Sequence, residues 1–130
     1  LAARGLCARI REAHAKLRPA PAILLAHAFV AGGEESIESE RPLAVGGSSA
    51  VDPGAYDGFA YVALGHLHKP QTAGRPWIRY SGSLLQYSKS EASHNKGVLR
   101  VDLFADGSVE VETLRLETRR KLRAIDATLA

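Results

Sequence analysis

Three of the five histidines in this 130-residue chain share a placement suited to ligand chemistry. His27 closes the apolar run Ile23 to Ala28, and His66 and His68 follow the apolar run Phe59 to Leu64 in the string Gly65-His66-Leu67-His68. Ends of buried strands, where the chain turns into a loop, are the usual ligand positions in α/β folds. In extended backbone, residues i and i+2 point to the same side. Two imidazoles at that spacing reach one metal ion or two adjacent ones. Gly65 removes a side chain beside them, and Pro70 fixes the chain as it leaves. A His-x-His pair alone fits ordinary surface histidines equally well. A buried imidazole without a partner is costly, so His27 is either a core histidine bonded to backbone or a third ligand. The company of His66 and His68 favours the third ligand.

The donor set narrows the chemistry. Cys7 is the single cysteine and lies far from these histidines in sequence, which argues against a cysteine-rich structural zinc site. Imidazole combined with carboxylate and water suits manganese, iron or zinc. A two-metal hydrolase also needs bridging oxygen ligands. Asp52 and Asp57 sit in turn-like contexts and Asp102 within a hairpin pattern, so His27, His66 and His68 read as half of a site. His14, on a charged helix, and His94, in the polar Ser88 to Asn95 loop, are expected at the surface. Tyr80-Ser81-Gly82-Ser83 lacks the Gly-x-Ser-x-Gly elbow of a nucleophilic serine and is expected to form a tight loop beside the histidines.

The elements that must position these residues follow from periodicity. Leu6, Ile10, Ala13 and Leu17 predict an amphipathic helix over residues 3 to 17, stopped by Pro19 and Pro21, with Cys7 as a small core residue. Ile23 to Ala28, Phe59 to Leu64 and Trp77 to Tyr80 predict buried strands, and Leu43 to Val45 a short one. Asp52-Pro53-Gly54 marks a turn. Lys96 to Phe104 and Ser108 to Leu116 predict a hairpin about Ala105-Asp106-Gly107. A further element is expected from Arg119 to Leu129. The charge is mild, +3, with an acidic stretch (Glu34, Glu35, Glu38, Glu40) and a basic one (Arg115, Arg119, Arg120, Lys121, Arg123). Phosphate contact is open to the second. No run approaches the roughly 20 apolar residues of a membrane helix, so no membrane association and a cytoplasmic location are expected. The chain has no methionine and opens inside a helical pattern, which predicts a piece of a longer protein.

These strings resemble a known family. Gly65-His66-Leu67-His68 is similar to the last metal-binding motif of the calcineurin-like metallophosphoesterases. Tyr61 to Gln71, Tyr80-Ser81-Gly82-Ser83 and Ser90-Glu91 narrow the likeness to the SbcD-type bacterial nuclease subunits. His27-Ala28-Phe29-Val30, Ser39-Glu40-Arg41 and Val45-Gly46-Gly47 fit the same family. The resemblance runs from about Ile23 to Ile125. It implies two divalent metals, manganese in such nucleases, that activate a water against a phosphodiester. His27 and His66 would bind one metal and His68 the other. Metal ligation needs neutral imidazole, so binding should weaken in acid. The implied partners are DNA, an SbcC-like SMC ATPase subunit and a second copy in a homodimer. Lys69, Arg79 and Lys89 are candidate DNA backbone contacts.

The family's remaining ligands lie in Asp-x-His, Gly-Asp and Gly-Asn-His-Asp motifs, none of which this chain contains. Leu84 also stands where the family pattern has proline. The chain alone is therefore expected to be inactive, with half of a four-layer αββα sandwich (an α/β, or α+β, arrangement) closed by a β-hairpin. Residues 1–118 would belong to the nuclease domain and 119–130 to a following segment. Exposed core surface would then make the isolated chain poorly stable or prone to associate. Two other readings fit the same histidines: a calcineurin-like phosphoesterase acting on nucleotides or phosphoproteins, and a non-catalytic scaffold piece.

Overall fold

Short apolar runs pair into one sheet in the computed structural model, which describes residues 2–17, 20–36, 38, 50–125 and 127–128. Strands β1 (Ile23–His27), β2 (Tyr61–Gly65), β3 (Gln71–Ala73) and β4 (Arg75–Tyr80) lie in the order β1-β2-β4-β3. β1, β2 and β4 are mutually parallel, and β3 closes one edge antiparallel to β4. Side chains alternate between the two faces of a strand, and the register turns that into a core. Leu24 and Ala26 stand beside Val62 and Leu64, which stand beside Ile78 and Tyr80. All six belong to or pack against one buried cluster with Val30, Tyr56 and Phe59. Val62 and Ile78 are fully enclosed, and burial on that scale contributes roughly 1.5–3 kcal/mol per side chain. The opposite face carries Leu25, His27, Ala63 and Gly65. Leu25 is 79% exposed there.

A single hydroxyl ties the exit of β1 to the end of β4. Tyr80, completely buried, donates its phenolic hydrogen to the Ala28 carbonyl at 2.7 Å and accepts the Val30 N–H at 2.9 Å. The chain leaving His27 is thus fixed by a residue 50 positions further on. Val30 also forms an isolated parallel bridge with Val51.

Helix α1 (Ala2–Ala15) docks by polar contacts more than by its apolar stripe. Cys7 is its buried residue, as expected, while Leu6 and Leu17 are 59% and 70% exposed. Burial raises the Cys7 thiol pKa. Arg4 pairs with Asp52, and Arg11 donates to the carbonyls of Ala55 and Asp57 at 3.3 and 2.9 Å. These acceptors lie in or beside a 3-10 turn, Pro53–Tyr56, which Asp52 caps by accepting the Gly54 N–H at 2.8 Å. The expected turn at Asp52-Pro53-Gly54 is therefore present, and Asp52 serves both it and the helix.

Strands β5 (Gly97–Leu103) and β6 (Val109–Arg115) form a separate two-stranded hairpin, within one residue of the expected ends. Its turn is closed by Asp106, which accepts from the Ser108 N–H at 2.9 Å. Val109 and Val111 are half-buried and Glu110 and Glu112 exposed, an alternation that stops at the exposed Thr113. The described residues thus form a mixed α and β fold of one helix and two sheets. β3 was not foreseen. The helix ends two residues short of the expected stop. Residues 119–125 form no regular element, and the Leu43 to Val45 strand falls outside the described residues. Among those residues no helix is long and apolar enough to cross a membrane.

Two outcomes follow from these contacts. Tyr80→Phe leaves a buried N–H and a carbonyl without their partner and should lower stability by about 1–3 kcal/mol, read as a drop in the urea midpoint. The hydrogen bond from Arg4, then that from the Gly54 N–H, holds the Asp52 carboxyl below its ordinary range. A depressed carboxyl contributes stability above its unfolded-state pKa and loses it as pH falls through the folded one. The protection of α1 amides, taken relative to their intrinsic exchange rates, should therefore fall as pH drops below the usual aspartate range, and Asp52→Asn should remove that change in protection.

Candidate metal centre

Parallel pairing sets His27 directly beside Gly65 at the carboxyl ends of β1 and β2. Both residues face away from the core, so the imidazole must lie over its neighbour. A Cβ on residue 65 would stand 2.9 Å from His27 Nδ1. Only glycine leaves that space open, which gives Gly65 a steric purpose next to the histidines. The His27 ring is exposed. The expectation that it is a buried imidazole therefore fails, because it projects from the open face shared with Leu25.

The buried, unpartnered nitrogen belongs to His66 instead. β2 stops at Gly65, and His66 takes a φ of +111°, the sole positive φ outside glycine among the described residues. That region is unfavourable for any residue with a Cβ. The departure turns the His66 ring against His27, with centroids 5.5 Å apart and planes inclined at 70°. His66 Nε2 is buried there without a hydrogen-bond partner. Backbone strain and an orphaned polar atom at one residue both cost stability, and a ligand held at that nitrogen would offset the second.

His68 has contacts of a different kind. Because residues 66–70 are not extended, the i, i+2 argument for a shared side does not apply. The His68 ring lies 5.5 Å from that of Tyr87. Its Nδ1 is 2.9 Å from Oε1 of Glu91, a fully buried carboxylate. Lys96, also buried, donates to Glu91 Oε2 at 2.7 Å, to Ser83 Oγ at 2.8 Å and to the His68 carbonyl at 2.9 Å. The three ammonium hydrogens thus meet three acceptors. Ser83 returns a backbone N–H to the His68 carbonyl at 3.1 Å. Gly82 has a φ of +82°, and a Cβ there would sit 2.7 Å from that same carbonyl. Tyr80-Ser81-Gly82-Ser83 is therefore the tight loop the sequence predicts, and it packs on the His68 segment.

Of the three histidines expected to bind metal, the structure brings His27 and His66 into ring contact and gives His68 different neighbours. Among the described residues no three His, Cys, Asp or Glu side chains are grouped as a metal cage. The test of fit rests on His66 Nε2. A buried, unpartnered imidazole nitrogen facing a second imidazole suits a borderline divalent cation, as two ligands of a larger set. Glu91 and Lys96 escaped the sequence analysis because they lie in polar stretches that resemble solvated loop. His94, expected in solvent, is half-buried and donates its backbone N–H to the Glu91 carbonyl at 2.8 Å. Lys69 is paired with Glu34, whose carboxyl that hydrogen bond holds below its ordinary range. Arg79 lies within β4 rather than on a loop.

Strain at residue 66 has a measurable sign. Glycine normally destabilises relative to alanine, but here His66→Gly should be more stable than His66→Ala by about 1 kcal/mol, since alanine keeps the strained φ and glycine does not. Chemical denaturation of the two variants compares them directly, and an alanine variant as stable as the glycine one would argue against strain.

No protein-family model matches the chain.

Proposed function

We propose that this chain is the distal part of the catalytic region of a metal-dependent DNA nuclease of the SbcD type, in which His27 and His66 hold one divalent cation and His68 a second. The observation that carries the reading is the His66 nitrogen, buried and unpartnered, on a ring in contact with His27 and on backbone of positive φ, as strained positions at functional sites often are. The Glu91 and Tyr87 contacts of His68, distinct from the ring contact of His27 with His66, support one metal for two histidines and another for the third. Sequence resemblance supplies the reaction class, manganese as the favoured ion, and an SMC-like ATPase and a second copy as partners.

Bound metals would acidify a water and neutralise charge on the phosphoryl oxygens. This chain's own part is to hold imidazoles at two strand ends in fixed orientation. The oxygen ligands that complete the pair would come from the Asp- and Asn-bearing motifs that this sequence lacks. On this reading the mixed sheet and the hairpin belong to one half of a four-layer αββα sandwich, and the exposed Leu25 lies on the sheet face that the other half would cover. The exposed Arg119, Arg120, Lys121 and Arg123 offer salt-sensitive phosphate contacts. The location is cytoplasmic, as for other enzymes acting on bacterial DNA.

The test is a nuclease assay on the protein carrying the complete motif set, with manganese and linear DNA. His27→Ala, His66→Ala and His68→Ala should each reduce cleavage by at least about 10- to 100-fold, since loss of even an outer-shell partner costs that much, and a chelator should abolish it. Equal DNA degradation by wild type and His68→Ala would refute the ligand assignment. Preference for nucleotides or phosphoproteins over DNA would keep the metals and change the substrate.

A further inference from the structure

The buried carboxylate behind His68 has no purpose in the reading above. Glu91 is fully enclosed, and an enclosed charge is stable only when paired and hydrogen-bonded. Its two oxygens divide the work. Oε2 takes the Lys96 ammonium at 2.7 Å, with the Ser83 hydroxyl and the Tyr87 N–H each at 3.4 Å. Oε1 is given to His68 Nδ1 at 2.9 Å. Lys96 already balances the carboxylate charge, so Glu91 meets His68 as a hydrogen-bond acceptor rather than as its only counter-ion. A carboxylate can only accept. The proton of a neutral His68 must therefore sit on Nδ1, and Nε2 becomes the nitrogen that carries the lone pair.

We propose that Glu91 is the positioning residue of His68: it sets the ring's tautomer and orientation so that Nε2 is the metal-ligating atom, and Lys96 fixes Glu91 and the His68 backbone together. The proposal rests on the metal reading and deepens it. Ligating histidines commonly donate their other ring N–H to a carboxylate, which fixes the ring and raises its basicity. The arrangement has the economy of one cation. Lys96 grips the His68 carbonyl directly and the His68 ring through Glu91, so neither backbone nor ring moves independently. His66, by contrast, sits on backbone of positive φ, and its Nε2 has no hydrogen-bond partner among the described residues.

Long-range proton–nitrogen NMR correlation on the metal-free protein carrying the complete motif set, at about pH 8, above the ordinary imidazole range, reads the tautomer with no metal involved. His68 should show a protonated Nδ1 and an unprotonated Nε2, whereas His14 should show the averaged pattern of a free imidazole. An Nε2–H or averaged pattern at His68 overturns the positioning role. Glu91→Gln alone leaves Lys96 buried without its counter-ion, so the second sample is the charge-balanced double variant Glu91→Gln, Lys96→Met. There the His68 pattern should become averaged, and a retained Nδ1–H tautomer would overturn the assignment. If the double variant does not fold, the wild-type pattern decides.

Titration of the protein carrying the complete motif set with Mn2+ then separates the two ideas. Paramagnetic broadening should reach His68 Nε2 in the wild type, and the double variant should bind about 10- to 100-fold more weakly. A locked Nδ1–H tautomer with no broadening at His27, His66 or His68 would overturn the metal reading and leave Glu91 a structural acid.

Discussion

The parallel pairing of β1 with β2 is the constraint on which the rest depends. It places Ile23 opposite Tyr61 and, four residues later, His27 opposite Gly65. A shift of one residue would carry His27 to the core face and leave Leu24 and Ala26 in solvent. Hydrophobic burial therefore fixes the register, and the register brings His27 to the place where glycine leaves room for it. The core on one face and the site on the other are two results of the same alignment. Tyr80 reinforces it from below by clasping the backbone just past His27.

Two unlike devices hold the neighbouring histidines. His66 departs from strand geometry, and the cost appears as strain and an unpartnered nitrogen. His68 is surrounded by satisfied hydrogen bonds drawn from a segment 15 to 28 residues away. A buried Lys–Glu pair is not in itself a strong source of stability, because desolvation offsets much of the attraction. Its value here lies in geometry. Removing either member leaves a charge enclosed alone, and Lys96 links the Ser83 hydroxyl and the His68 carbonyl only while it stays in place.

The sequence made the skeleton legible where burial was strong. Ile23 to Ala28 and Phe59 to Leu64 were apolar enough to mark β1 and β2 within two residues of their ends, and Asp106-Gly107 marked the hairpin. β3 was hidden because three residues between Pro70 and Gly74 are too few to show a period. The helix ended early because Lys16 and Leu17 close it with turn hydrogen bonds before either proline. In the site, residue types and strand ends pointed to His27, His66 and His68. What they could not show was that the chain leaves extended geometry at His66, which separates the surroundings of two residues that look equivalent in the string Gly-His-Leu-His. Nor could they show Glu91 and Lys96 as buried, since charged residues in a Ser- and Asn-rich stretch carry no local sign of enclosure. The Ser39 to Arg41 and Val45 to Gly47 segments lie outside the described residues.

The conformation of His66 also bears on how this chain would respond to selection for robustness. Strained functional positions are where stability and activity pull apart. A library screened for thermal tolerance alone would accept glycine at position 66 and enrich it, since the backbone there already has glycine geometry. The survivors would keep the sheet, the helix and the hairpin intact, and would lose the imidazole that the proposed metal site requires.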